Sequence, residues 1–188
     1  MAQPDAPIPQ KPFKVCRLDA QDAAVYRDIR LEGLKNHPEA FGSSWEDESR
    51  KPDAWWAERL ETSTVFGGWI DDSPLLGVAG FHAHTASKLR HKAVLWGMYV
   101  RIEGRGTGLA ACLVQRVIEH ARPLVEEICL TVVDSNIAGK RLYGAAGFEP
   151  YGIERRALKI GEEYFDEVLM ARPLREPCAS AAPISIGD

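Results

Sequence analysis

Residues Ala93 to Ala145 constrain the fold more than any other part of the chain. An apolar, strand-like run, Ala93 to Val100, passes through a loop with glycines at 104, 106 and 108 into a helix-like run, Gly108 to Arg122. A second strand, Ile128 to Val133, and a second helix, Asn136 to Ala145, continue the alternation. Upstream, Phe13 to Leu18 predicts a strand and Asp19 to Lys35 a helix with Val25, Ile29 and Leu34 among its apolar positions, closed by Pro38. Pro52 to Glu61 predicts another helix with proline near its start. Val65 to Ile70 and Leu75 to Phe81 predict a hairpin across the polar turn Asp71-Asp72-Ser73-Pro74, and Glu163 to Met170 a closing strand. This order is that of an α/β chain with a mixed sheet and helices on both faces.

Length and composition narrow the function classes. A chain of 188 residues suits one domain that buries roughly 70% of its unfolded surface. Four prolines in the first dozen residues, and a small, aperiodic end reading PLREPCASAAPISIGD, predict flexible segments at 1–12 and 174–188 around a domain spanning 13–173. No apolar run nears the roughly 18 residues of a membrane span, and the start lacks the apolar core of a signal peptide, so a cytoplasmic protein without a membrane partner is expected. Cys16, Cys112, Cys129 and Cys178 form no C-x-x-C pair, so neither a metal site nor a disulfide framework is expected. The net charge of -4, with Lys and Arg scattered among Asp and Glu, argues against nucleic acid and for a small or peptide-sized ligand.

The glycine turn is built for an anion. Glycine permits positive φ and close approach to the backbone, and the helix after it offers free N–H groups and a positive dipole end. A triphosphate-binding Walker loop is excluded, because Leu109 and Ala110 follow Gly108 where that pattern needs Lys and Ser or Thr. Gly106 to Ala111 does fit the dinucleotide pattern G-x-G-x-x-A, with Asp134 ending the next strand where a ribose-binding acid would sit. Against that reading, Arg101 to Arg105 hold the strand away from the first fingerprint glycine. An ordinary strand-to-helix loop is the plain alternative.

The neighbouring residues add a second pattern. Arg105-Gly106-Thr107-Gly108-Leu109-Ala110 matches R/Q-x-x-G-x-G/A, and Asn136, Tyr143, Gly147 and Phe148 match N-x(6)-Y-x(3)-G-F one strand and one helix later. With both motifs in order, the sequence resembles the GNAT superfamily of acyl-CoA-dependent N-acyltransferases, in particular its small bacterial members. The resemblance implies a mixed, mostly antiparallel sheet in which two parallel strands, Ala93 to Val100 and Ile128 to Val133, splay into a V that takes the pantetheine arm. It implies that backbone groups of Met98 and Val100 meet pantetheine, and that Arg105, Gly106, Thr107, Gly108, Leu109 and Ala110 hold the pyrophosphate of acetyl-CoA. It gives Asn136 a hydrogen bond to the pantetheine arm and Tyr143 the role of general acid toward the leaving thiolate. Seven residues at 100° each bring Asn136 and Tyr143 back to nearly one helix face, roughly 10 Å apart along the axis, so both can line one cleft. Asn136 also suits a helix N-cap, and Tyr143 a packing role.

In such a reaction a neutral amine attacks the thioester directly, and strand amides polarise its carbonyl, so no covalent cysteine is needed. Cys112 and Cys129 read as small hydrophobes. Some family members carry a base at positions that align with Val94 and Trp96, neither of which takes a proton. The remaining candidates are Glu32, His82 and His84. The expected acceptor is a small-molecule amine; a protein N-terminus or lysine, and a non-catalytic acyl-CoA sensor, are the alternatives. Family members often dimerise, so a second copy is an expected partner. Phe41, Trp45, Trp55 and Trp56 beside Glu46, Asp47 and Glu48 form either an aromatic, acidic pocket wall or core with solvated acids.

Overall fold

The computed structural model describes residues 13–175. The segments 1–12 and 176–188, expected to be flexible, lie outside the described residues; Leu174 is described, and its N–H donates to the Glu126 carbonyl at 2.8 Å. In chain order the elements are β1 (Phe13–Arg17), α1 (Ala23–Asn36), α2 (Trp45–Glu48), α3 (Asp53–Thr62), β2 (Thr64–Ile70), β3 (Gly77–Ala83), β4 (Lys92–Val100), α4 (Leu109–Ala121), β5 (Glu127–Val133), α5 (Ile137–Ala145), β6 (Glu149–Ile160) and β7 (Glu163–Pro173). The sheet runs β1-β2-β3-β4-β5-β7-β6, and β4–β5 is its one parallel pair. One parallel pair in a seven-stranded sheet is not the parallel architecture a dinucleotide fold needs, and Asp134 is ion-paired with Lys140 at 2.7 Å.

Helices cover both faces, for reasons visible in their spacing. Leu109, Leu113, Val114, Val117, Ile118 and Ala121 form one apolar stripe of α4, which packs with Phe66, Phe81, Ala93, Leu95, Ile128 and Leu130. On the other face α1 and α3 bury Tyr26, Ile29, Leu34, Trp56 and Leu60 with Val65, Val78 and Tyr99. Each such side chain contributes about 1.5–3 kcal/mol when fully buried. Ahead of α1, Asp19 and Asp22 form a reciprocal capping box around a single turn of 3-10 helix.

Two elements depart from the sequence reading. Residues Glu149–Ile160, not foreseen as a strand, form the edge strand β6; as most of its side chains are exposed on both faces, the alternation that marks a half-buried strand is missing. The four-residue α2 is held by the Ser44 cap, which accepts from the Asp47 N–H at 3.2 Å, and by a buried ion pair rather than by its own periodicity.

The feature that positions the site is the divergence of β4 from β5. They pair over Lys92↔Glu127, Ala93↔Ile128 and Val94↔Cys129, and no farther. On its other side β4 stays paired with β3 to Val100↔Gly77, but with one extra residue: Gly97 and Met98 together stand opposite Ala79. Gly97 takes φ +63°, which a side chain would resist, and this bulge bends β4 away from β5.

Candidate functional site

Beyond the last β4–β5 pair, the facing backbone groups of two strands have no ladder partner. An extended ligand with its own amides can supply one. A cleft of about 450 Å³ lies along the opening, lined by Met98, Tyr99 and Val100 of β4, Val133 of β5, Arg105, Gly106 and Ala110 of the glycine turn, and Asn136 and Tyr143 of the α5 segment. His37, Glu39, Ala40 and Phe41, from the connection after α1, close it from above.

At its outer end, Gly106 (φ +73°) and Gly108 (φ +98°) turn the chain into α4. The Thr107 hydroxyl donates to the Gly104 carbonyl at 2.7 Å and accepts from the Leu109 N–H at 3.3 Å, which stiffens the loop from within. The N–H groups of Gly106, Thr107, Gly108 and Ala110 have no acceptor among the described residues, as the first turn of a helix leaves them. The Leu109 side chain is fully buried in the core, so only its backbone can serve a ligand. The Arg105 guanidinium donates to the Val100 carbonyl at 2.9 Å and lies 3.1 Å from Nε2 of His37, which ties the loop to both β4 and the α1 connection.

Asn136 caps α5: its Oδ1 accepts from the Gly139 N–H at 2.8 Å, and its Nδ2 group is left to donate elsewhere in the cleft that it lines. Tyr143 is 8% exposed, packs edge to face on Phe148 at 6.0 Å, and has no hydrogen-bond partner for its hydroxyl among the described residues. Burial pushes its pKa up to about 12. The structure therefore brings Asn136, Tyr143, Met98, Val100, Arg105, Gly106 and Ala110 to one cleft.

It does not bring Glu32 there. Glu32 accepts from the Tyr99 hydroxyl at 3.0 Å and from Nε of Arg101 at 2.8 Å, in an adjoining cavity of about 620 Å³. His82 is exposed opposite Val94, near the start of β4 and away from both cavities. Its neighbour His84 follows it, with ring centroids 6.1 Å apart. Burial raises the Cys112 and Cys129 thiols, which suits small hydrophobes better than nucleophiles. Among the described residues no group of three or more His, Cys, Asp or Glu could hold a metal ion.

The tryptophans divide. Trp56 is core, while the Arg59 guanidinium lies 4.8 Å from both the Trp55 and Trp96 rings. Of the neighbouring acids, Glu48 is buried and takes two hydrogen bonds of 2.9 Å from Arg30, whereas Glu46 and Asp47 are exposed. Burial would raise the Glu48 carboxyl, but the hydrogen bonds and charge of Arg30, with Arg59 beyond, hold it below the usual range. Two residues that the sequence did not single out, His37 and Tyr99, line both cavities. Tyr99 was legible only as an apolar strand position, and His37 only as the residue before Pro38.

A sequence profile described as the acetyltransferase (GNAT) family matches residues 31–148. Among solved structures, an acetyltransferase of the GNAT family from Streptococcus pneumoniae superposes with a TM-score of 0.75 at 19% identity, covering 86% of this chain and 99% of that one. The structure of yncA from Salmonella typhimurium with its cofactor acetyl-CoA gives 0.73 at 21%, covering 93% and 99%. A ribosomal-protein-alanine N-acetyltransferase from Brucella melitensis gives 0.70 at 19%, covering 85% and 99%. At these identities the superpositions speak for the fold.

Proposed function

The chain belongs to the acetyltransferase (GNAT) family, and from that premise we propose that it moves an acetyl group from acetyl-CoA to the primary amine of a small molecule, by direct attack in a ternary complex. The observation that carries this is the joining of three features in one cleft: a strand pair that stops pairing, a turn with free N–H groups at its outer end, and a buried tyrosine on its α5 side. Bound there, acetyl-CoA would supply an activated acyl thioester. The amides of Gly106 to Ala110 would take its pyrophosphate, the open backbone of β4 its pantetheine amides, and Nδ2 of Asn136 a pantetheine carbonyl.

Tyr143 is the acid in this reading. With a pKa near 12 its phenol is protonated at neutral pH, and it can donate to a leaving thiolate whose conjugate thiol lies near 8.5. Burial among apolar groups also keeps water from competing for that proton. Glu32, the base candidate on α1, has its carboxylate committed to Arg101 and Tyr99, so it acts as base only if that pair opens.

The test is thiol release from acetyl-CoA by the purified protein with polyamines, aryl-alkylamines, amino acids and short peptides. Amine-dependent release that falls in Tyr143→Phe is the expected result, and the best amine names the class. Binding of acetyl-CoA with no release from any amine would overturn the catalytic reading in favour of a sensor.

A further inference from the structure

One half of the sheet presents an open face. Along β5, Ile128, Leu130 and Val132 enter the core shared with α4, so Cys129, Thr131 and Val133 project from the opposite side. The register carries this outward: Glu167 of β7 stands directly opposite Val133, and Glu154 of β6 directly opposite Glu167. Opposed residues project on the same side with Cβ atoms about 4.5–5.5 Å apart. Val133 lines the cleft. Glu167 therefore stands one strand from the cleft, on the face opposite the core that holds Tyr143. Helices α1 and α3 pack against β2, β3 and β4, whereas the Pro38–Ala40 turn packs on β5 and β6; Thr131 and Glu154 are exposed.

We propose that Glu167 is the base that takes the proton from the incoming amine. This rests on the acetyl-transfer reading above and deepens it. Glu32, Glu48, Glu127 and Asp166, also at least partly buried, each pair with Lys or Arg, and Glu39 has His37 at 3.6 Å, whereas Glu167 has no Lys, Arg or His within ion-pairing distance among the described residues. The contrast is sharpest with its neighbour. Asp166, on the other face of β7, accepts from the Arg155 side chain at 2.9 Å and from the Arg156 N–H at 2.8 Å, so each of its oxygens is engaged in pinning the β6–β7 hairpin. Glu167 is spared that work.

Its surroundings tune it in the useful direction. Burial raises its carboxyl above the ordinary glutamate value, the Thr131 hydroxyl opposes, and the like charge of Glu154 raises it further. Other titratable groups on this face are Cys129 and Glu127 on β5, with Lys92 of β4 paired to Glu127 and Tyr151 of β6 beside them, and, next to the turn over β5 and β6, His37 and Glu39. A base works best with its pKa near the operating pH.

The step balances without another reactant. The lone pair of the neutral amine forms the C–N bond at the thioester carbonyl, and the excess proton on nitrogen passes to Glu167. The C–S bond breaks, and the thiolate takes the Tyr143 proton. Protonated Glu167 then restores the Tyr143 phenol through solvent. Acid and base act from opposite faces of the splay, so they do not neutralise each other before the acceptor arrives.

The test uses the full chain, with spermidine, tryptamine, L-methionine and an alanine-starting peptide as acceptors, from about pH 5 to about pH 9. With the fastest of the four, Glu167→Gln is expected to lower amine kcat/KM about 100-fold or more, abolish the acid limb of the pH profile, and leave acetyl-CoA binding as it was. Glu154→Gln should keep kcat and move that limb to lower pH, because it removes the like charge, and Glu167→Asp should recover part of the rate. Wild-type kcat and an unchanged acid limb in Glu167→Gln would overturn this assignment alone, as would an unmoved limb in Glu154→Gln. A wild-type protein that binds acetyl-CoA and acetylates none of the four would overturn the acetyl-transfer reading, and this one with it.

Discussion

The outer end of the cleft is lined by backbone N–H groups of nearly consecutive residues, Gly106 to Ala110, whereas the region behind its Phe41 wall, where Arg30 lies 5.0 Å from the Phe41 ring, is assembled from Arg30, Glu48, Arg59, Trp55 and Trp96, side chains spread over three helices and a strand. The first region needs only a local conformation, set by two glycines. The second needs α1, α2, α3 and β4 all in place before any of its contacts exist. A ligand recognised through pyrophosphate and amides suits the first construction, and an acceptor that varies between enzymes suits the second, because backbone amides change little with sequence while side chains change at will.

The largest expected effect comes from breaking the side-chain region. Arg30 is 4% exposed and Glu48 5%, and Nη1 of Arg30 already lacks a partner. Glu48→Ala leaves a buried guanidinium without its counter-ion, which costs about 3–5 kcal/mol. Urea unfolding measures it. Because α2 rests on this pair, the residual folded protein should lose acceptor turnover while still binding acetyl-CoA; equal loss of both would erase the distinction between the two regions.

Tyr143→Phe probes the cleft between them. Removing the hydroxyl should lower kcat about 100-fold with little change in stability at neutral pH or in acetyl-CoA affinity. It should also change the alkaline limb of stability. The folded pKa near 12 exceeds the unfolded value near 10, so the folded state binds more protons between those values, and stability falls as pH rises through that window. The full loss is about 2–3 kcal/mol, and denaturant midpoints from about pH 9 to about pH 12 should show it in the wild type and not in the variant.

The same contrast explains what the sequence made legible. The glycine turn, Asn136 and Tyr143 announce themselves because their roles depend on spacing along one strand and two helices. The α4 stripe was readable for the same reason. Edge strand β6 was not, since residues exposed on both faces carry no alternation, and α2 was not, since a four-residue helix has no period. Glu32 looked like any helix acid until Arg101 and Tyr99, 69 and 67 positions away, closed on it. Glu167 could be set apart from Asp166 only by strand register, which a single sequence does not state.

One substitution separates conformation from contact in the backbone-lined region. Gly106 has φ +73°, and a Cβ there would meet nothing within 4 Å, so Gly106→Ala is resisted by the backbone alone, at about 1–2 kcal/mol. If the loop relaxes to relieve that strain, its N–H groups leave their alignment, and acetyl-CoA should bind roughly tenfold more weakly. Urea unfolding reads the first and titration calorimetry the second: a stability loss with unchanged affinity would mean that the amides of this loop do not hold the pyrophosphate.

Asn136 gives the smallest and sharpest case, because its two ends serve different masters. Oδ1 caps α5 through the Gly139 N–H, while Nδ2 is the group proposed to meet pantetheine. Asn136→Ala removes both and should cost about 1 kcal/mol of stability together with affinity for acetyl-CoA. Asn136→Asp keeps an oxygen for the cap and loses only the donor, so stability should stay within about 0.5 kcal/mol of wild type. Affinity for acetyl-CoA should nevertheless fall as far as in the alanine variant, since the carboxylate turns an offered N–H into a second acceptor facing a carbonyl. If Asn136→Asp binds acetyl-CoA as the wild type does, Asn136 is a cap and nothing more, and the inner hold on the pantetheine arm must come from the unpaired backbone of β4 alone.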